Sequence, residues 1–452
     1  MTRLPESTSL SAPVVHTLQA DVCIVGAGVT GAALGAMLGR NGLSVVVVEK
    51  ELRTTEKIVG ELLQPEGVRQ LQRMGLGHCL ENIDAQLING YHLTDGQHSC
   101  SIPYPDASLR GRAFHHHLFI DKLRDELKKC PQVQLLPAKA TDCREENGRV
   151  CGVAAENSSG QKWIIYSRFT LLCDGLHSGF RTRYHQDQPQ HTGFFLGLIL
   201  RNCPLPSPGH GHVFLTESSP FLCYPISSGD VRMLIDFRES VAPRKGSEEV
   251  LARYAEVEKQ LPASMIPAFQ EAIAGSYFKV MPNYRLTASG FRYRPGLAIL
   301  GDALNMRHPL TGGGMTAGLS DACRLGEVIL ASYLPQTQST ASTDHYLATH
   351  FYSKDHRKND PINILADALY GVFRHPDLSR ACLAYLQSPG FRSSGPVRLL
   401  AGISRSRLLL FFHFFAVALY GAFRPVSGLG ITRRIQMIQD AWQILFPLVR
   451  RT

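Results

Sequence analysis

The chain has 452 residues, 44% of them hydrophobic and 19% charged, a length and balance that support two or three domains with real cores and exclude a largely disordered chain. The formal charge of +9 comes without a sustained Lys/Arg run or a basic stripe interleaved with aromatics, so nucleic acid is not indicated, while an anionic cofactor or an acidic membrane surface fits. Eleven cysteines are scattered singly, with no CxxC pair and no His/Cys cluster at zinc spacing, which points to a reducing compartment, no disulfide framework and no metal site.

Residues 1–20, "MTRLPESTSLSAPVVHTLQA", lack a long apolar stretch and read as a flexible leader, not a signal peptide. From Asp21, "DVCIVGAGVTGAALGAMLGRNGLSVVVVEK" reads as a buried strand, a small-residue helix and a second buried strand ending at Glu49. Within it Gly26, Gly28 and Gly31 form G-x-G-x-x-G. Gly26 permits the tight turn, Gly28 lets backbone approach a pyrophosphate at the helix N-terminus, and Gly31 lets helix and strand pack closely. Glu49 stands where a carboxylate accepts the ribose hydroxyls of an adenosine, and it argues against a 2′-phosphate.

Further along, "FTLLCDGLHSGFR" (169–181) is an apolar strand ending in Asp174-Gly175, and "LAILGDALNMRHPLTGGGMT" (297–316) repeats the design with Asp302. In an α/β sheet, ligands sit beyond the carboxyl ends of the strands, so both segments are expected to face the same crevice as the first glycines. FAD has the required span. Asp302 can accept from a ribityl hydroxyl, and the backbone of Gly312, Gly313, Gly314 and Met315, opening a helix near Thr316, can face the negative charge of a reduced flavin. The predicted architecture is therefore α/β, with a Rossmann-like FAD-binding domain carrying a second layer. Between about Gly193 and Arg292, "FFLGLIL", "HVFLTES", "FLCYPIS" and "VRMLIDF" predict short strands, followed by a polar helix near Glu248 to Gln260. The expected division is 1–20 leader, 21–190 FAD domain with some cap strands near 85–115, 191–292 mixed-sheet substrate cap, 293–340 the rest of the FAD domain, and 341–452 a C-terminal helical membrane-associated region. In the last, "RSRLLLFFHFFAVALYGAFRP" gives an apolar run from Leu408 to Phe423. At ~1.5 Å per residue it is short of a ~30 Å hydrocarbon core, so it reads, with "ITRRIQMIQDAWQILFPLVRR", as a monotopic hairpin lying in one leaflet, or else as a buried helix pair.

The DG and GD segments resemble those of para-hydroxybenzoate hydroxylase-like FAD monooxygenases. More specifically, "IVGELLQPEGV", "INGYHLTDG", "GRAFHH", "GDALNMRHPLTGGGMT" and "HFFAVALYGAF" resemble the squalene monooxygenase (squalene epoxidase) family from about Asp21 to the C-terminus. The resemblance implies an FAD enzyme that epoxidises squalene with O2, is reduced by an external NADPH-cytochrome P450 reductase type donor, and acts at the cytosolic face of the endoplasmic reticulum if the source is eukaryotic. It implies cofactor roles for Gly26, Gly28, Gly31, Glu49, Lys57, Glu61, Asp174, Asp302 and Gly312 to Met315, and active-site roles for Gln64 and Tyr91. Glu61 fits the orienting of a cofactor-side cation better than acid–base work, while Tyr91 and Gln64 suit polar positions in an apolar cavity.

Two positions depart from the family pattern. A Gly-Arg pair is replaced by His117-Leu118, and an Arg by Lys57, which deletes one cation and exchanges a bidentate guanidinium for a point charge. Arg110, Arg112 or a neighbouring histidine are the candidates for compensation. Two other readings stay open at this level: a flavin-dependent oxidoreductase of another polyprenyl or terpenoid chain, and a non-catalytic membrane-bound paralogue.

Overall fold

The computed structural model describes residues 15–333, 360–423 and 431–450, together with 344, 345, 347, 348 and 351. The first fourteen residues of the expected leader and Arg424 lie outside them. Residues 15–20, expected in that leader, instead begin β1 (Val15–Val25), because Val15 to Ala20 pair in register with Lys162 to Ser167.

The first sheet contains β1, β2 (Val45–Glu49), β8 (Val133–Pro137), β9 (Lys139–Glu146), β10 (Arg149–Glu156), β11 (Lys162–Leu172) and β17 (Leu297–Ile299), in the order β8-β2-β1-β11-β10-β9 with β17 beside the end of β11. β8, β2, β1, β11 and β17 run parallel. Their apolar runs, such as Val45–Val48, are buried, as expected where helices cover a parallel sheet. Helix α1 (Val29–Arg40) can lie close to the sheet and its neighbours because its packing face is Ala and Gly. A Cβ on Gly39 would meet Val133 Cγ2 at 2.4 Å, and one on Gly35 would meet Leu127 Cδ2 at 2.9 Å.

The second sheet is the cap. It holds β5 (Gly90–Thr94), β6 (Ser99–Pro103), β12 (Gln190–Arg201), β13 (His210–Phe214), β14 (Phe221–Pro225), β15 (Asp230–Phe237) and β16 (Lys279–Arg285), ordered β16-β12-β15-β14-β13-β5-β6. The four expected strands are present, and the 85–115 region contributes β5 and β6. Alternating residues divide its faces. Leu196, Cys223 and Ile235 pack with α5 (Glu248–Gln260) and α6 (Ile266–Ala274), whereas Phe195, Tyr224 and Leu234 face the C-terminal helices. Ser247 caps α5 by accepting from Val250 N, with Glu248 and Glu249 in the first turn.

Between the layers, β3 (Leu62–Leu63), β4 (Gln86–Ile88) and β7 (Gly111–Ala113) form a small sheet, carried with α2 (Pro65–Arg73) and α3 (His116–Lys128). Short α4 (Arg181–Tyr184) follows β11, and α7 (Gly314–Tyr333) opens at the triple glycine, two residues before the expected Thr316. The C-terminal region is helical: α8 (Asp360–Val372), α9 (Pro376–Leu386), α10 (Phe391–Leu400), α11 (Arg407–Phe423) and α12 (Ile431–Arg450). Among the described residues no helix is long and apolar enough to cross a membrane.

Candidate active site

The first glycine loop lies between β1 and α1, and each glycine meets a different constraint. Gly26 has φ +99°, and a Cβ there would come within 2.5 Å of the Cys173 carbonyl at the end of β11. A Cβ on Gly31 would sit 2.0 Å from the Gly26 carbonyl. Gly28, by contrast, faces open space with nothing within 4 Å. The loop is thus packed tightly on one side and bare where a pyrophosphate would meet the free N–H groups of α1. Glu49 closes it: Oε2 accepts from Ala27 N at 2.7 Å and Oε1 from Glu51 N at 3.0 Å.

The two later motifs reach the same crevice, tied by Arg181. Its Nη2 donates to the carbonyls of Gly175 (2.9 Å) and Asp302 (3.1 Å), and its Nε to that of Ala303 (3.0 Å). Asp174 Oδ2 accepts from Gly179 N at 3.2 Å, while Oδ1 is buried with no protein hydrogen-bond partner among the described residues. Burial raises its pKa. Asp302 is accessible to solvent, yet protein atoms crowd its carboxyl enough for desolvation to raise its pKa against the opposing charges of Arg307, Lys57 and Arg181. A group both accessible and desolvated faces an enclosed crevice.

The triple glycine completes this side. Gly312 takes φ +62° after the Pro309–Thr311 turn, and a Cβ on Gly313 would meet Ile362 Cγ2 at 2.7 Å. Arg307, buried, donates from Nη1 to the carbonyls of Gly313 and Gly314 (3.3 Å each), from Nη2 to that of Asn305 (3.2 Å) and from Nε to Asn363 Oδ1 (2.6 Å). Arg307 thus fixes the loop, and the N–H groups of Gly314, Met315 and Thr316, which have no carbonyl in a preceding helical turn, are available as donors. Met315 lies beside Gly60, whose Cβ would be 3.9 Å from its Sδ. An open glycine edge, two helix N-termini, an unpartnered Asp174 oxygen and a crevice-facing Asp302 fit FAD.

Glu61, Gln64 and Tyr91 separate into two clusters. Both Glu61 oxygens bind Arg232 of β15 (Nε 2.7 Å, Nη2 2.9 Å), and neither side chain is exposed. Burial opposes charge on Arg232, but Glu61 keeps its pKa above the ordinary value. Glu61 was expected among the cofactor residues. The cation it orients belongs to the cap, so Glu61 joins the two layers and its carboxylate is committed. Gln64, fully buried, gives its Nε2 hydrogens to the Tyr91 hydroxyl and to the Thr311 carbonyl (2.8 Å), and its Oε1 accepts from Tyr104 OH (2.8 Å). Burial pushes the Tyr91 pKa up to about 12.

Tyr91 and Thr311 line an apolar cavity walled by Leu93 and Val213 of the cap and by Ala368, Val397, Phe414 and other residues of α8 to α12. The cap aromatics Phe194, Phe195, Phe221 and Tyr224 do not line it; they pack in the cores on the two faces of the sheet. The C-terminal helices supply the wall that the cap aromatics were candidates to form.

At the divergent positions, Leu118 packs beside the core formed by α1 and α3, and Lys57 is exposed. Burial first, and then the Lys57 charge, lower the His116 pKa to about 4, while His116 Nδ1 meets the Gly60 carbonyl at 2.8 Å. Arg110 and Arg112 bond the carbonyls of Ala107 and Gly111 in their own segment. The cation at the glycine loop is Arg124 of α3, which donates to the Ala27 carbonyl (2.9 Å) and the Leu52 carbonyl (2.8 Å) and lies 3.5 Å from Glu49. The sequence reading missed it, although an arginine four residues after buried Ile120 is the available signal.

A family profile described as squalene epoxidase matches residues 166–438. The chain is 39% identical to "Squalene epoxidase 3" of Arabidopsis thaliana over 95% of this chain and 84% of that protein. It is 36% identical to the "Squalene monooxygenase" of Mus musculus over 95% and 77%. Among solved structures, PqsL of Pseudomonas aeruginosa, described as a probable FAD-dependent monooxygenase, superposes with TM-score 0.64 at 22% identity over 79% of this chain and 97% of that one. The flavin-dependent brominase Bmp2 gives 0.67 at 16% identity over 90% and 100%. These two share the fold, whereas the full-length sequence relationships are closer: the chain belongs to the squalene epoxidase family.

Proposed function

We propose that the protein is an FAD-dependent monooxygenase that epoxidises a terminal double bond of squalene with O2, taking electrons from an external NADPH-dependent reductase at a membrane surface. The observation that carries this reading is the apolar cavity that meets the flavin loop at Thr311, Gln64 and Tyr91. Bound and reduced, FAD would activate O2 and supply the electrophilic oxygen. The glycine loops would hold it by backbone donors, with Asp174, Asp302 and Glu49 as acceptors for its hydroxyls. The cavity excludes water and aligns a linear run of methyl-branched isoprene units without polar contacts. Gln64, fixed by Thr311 and Tyr104, aims the Tyr91 hydroxyl, which stays protonated at neutral pH and can donate a hydrogen bond at the edge of the cavity.

Membrane association rests on α11 and α12. Leu410, Val417 and Ala441 face inward to the cavity, while Leu408 (81%), Phe412 (56%), Phe423 (76%) and Trp442 (53%) are exposed. An apolar outer face of this kind marks a binding surface, and the same two helices wall the cavity on their inner side. One face of the segment is core, as one of the two expected readings has it, and the exposed face is the one we assign to lipid. Truncation near Gly395 would remove cavity walls as well, so the membrane claim is better tested by Leu408, Phe412, Phe423 and Trp442→Ser in the full chain, which should move the protein from the membrane fraction to the soluble one. Unchanged sedimentation would refute the surface.

For the reaction, the full-length protein is incubated with squalene, FAD, NADPH, a P450-type reductase and isotopically labelled O2. A squalene monoepoxide carrying one labelled oxygen is expected. Oxidation of another polyprenyl chain but not squalene would reassign the substrate, and no flavin-dependent product from any such chain would refute the enzyme.

A further inference from the structure

The cap and the flavin loop meet at a polar cluster that the reading of the reaction leaves unused. His308, 1% exposed, precedes the Pro309–Thr311 turn, and its Nδ1 accepts from the Leu310 amide at 3.3 Å. That bond requires a bare Nδ1, so the ring proton sits on Nε2. Nε2 lies 3.7 Å from Asp236 Oδ1 of β15 and 3.4 Å from Asn283 Nδ2 of β16; an amide nitrogen cannot donate to a protonated Nε2, but turning the amide brings Asn283 Oδ1, which has no partner among the described residues, to the ring as an acceptor. Asp236 is 1% exposed, and neither carboxylate oxygen has a direct hydrogen-bond partner among the described residues; Arg238 Nε stands 3.6 Å away. At 3.7 Å from Nε2 the carboxylate acts on the ring by charge, without a direct hydrogen bond. The ring itself is fixed by stacking on Tyr370 of α8 (centroids 3.8 Å, 17°) and by the edge of Phe195 (5.5 Å), and Asp367 of α8 is the other carboxylate that senses its charge.

We propose that Asp236 is a positioning residue: reaching from the cap, it holds His308 in the Nε2–H tautomer, so that Nδ1 caps the turn delivering the Gly312–Met315 backbone to the cofactor. Order in the cofactor loop thereby depends on the cap. The idea rests on the flavin assignment of this crevice.

The test uses the full chain with two readouts: FAD affinity by flavin fluorescence, and amide hydrogen exchange across residues 305–318 in FAD-free protein. Asp236→Leu removes both acceptors; Arg238 loses its neighbouring carboxylate as well, a change within the cap that is common to both His308 backgrounds compared below. It should weaken FAD binding by about two- to thirtyfold, the range for loss of a capping bond, and speed exchange. His308→Ala should do the same. In His308→Asn the side-chain oxygen can still accept from the Leu310 amide but offers no Nε2, so this variant should bind FAD within about twofold of wild type, and adding Asp236→Leu to it should change neither readout. Asp236→Leu effects of equal size in both backgrounds, or none in wild type, would overturn the proposal. Exchange is read without cofactor, so an error in the flavin assignment would show in the titration alone.

Discussion

The cofactor side and the substrate side of the molecule are built by different means. Around the flavin crevice, contacts are made to the backbone: Gly26 against Cys173, Gly31 against Gly26, and the Arg181 side chain holding the Gly175 and Asp302 carbonyls. Around the cavity, contacts are side chains drawn from the cap strands and the C-terminal helices, with Gln64 and Tyr91 at the boundary. A backbone cradle tolerates almost no added atom. An apolar wall tolerates exchange of volume, within the limits of packing. Substitutions on the two sides should therefore fail in different ways.

The largest effect is expected at Gly31. Gly31→Ala places a Cβ 2.0 Å from the Gly26 carbonyl, so both the melting temperature and the FAD absorbance of the purified protein should collapse. Gly28→Ala, facing open space, should melt normally and lose only flavin; equal melting losses in the two variants would contradict the division of roles.

Next comes the tie between layers. Arg232→Met strands the buried Glu61 carboxylate and should cost about 3–5 kcal/mol in urea unfolding, most of it recovered by adding Glu61→Leu. A double variant no more stable than the single would return Glu61 to the cofactor.

Asp302→Ala is expected to cost about 1.5–3 kcal/mol of FAD binding, roughly tenfold or more in Kd. Because the folded pKa of Asp302 is raised, the carboxylate that accepts from FAD is lost as pH falls through that raised value. FAD affinity in the wild type should then begin to drop above the ordinary carboxylate range near ~4, and this limb should vanish in the Ala variant. The smallest effect is at Tyr91→Phe: squalene turnover slowed by about tenfold, with an unaltered flavin spectrum and no new pH dependence below the Tyr91 pKa of about 12. An unchanged rate would make Tyr91 a packing residue.

The same contrast explains what could be read from the sequence. Glycine spacing is local, so the tight turn at Gly26, the close packing at Gly31, the proximity of the Asp174 and Asp302 segments, and the cap strands were legible without a structure. Glu61 was read as a cofactor residue because nothing local reveals that its partner, Arg232, lies 171 residues away. Arg124 was missed because a charged residue on a helix is ordinarily a solvated one. The cavity walls carry no motif, only apolar residues from five helices and a sheet, and the outward half of α11 and the inward half share one uninterrupted apolar run in the sequence.

The central claim is that this cavity holds the hydrocarbon while the glycine loops independently hold the flavin. Val417→Phe narrows the cavity from α11, which packs on the other C-terminal helices. FAD affinity and squalene turnover, measured on the same preparation, should diverge: unchanged Kd for FAD, with squalene epoxidation reduced by about tenfold or more. Turnover equal to wild type with the ring in place would mean that squalene is bound elsewhere.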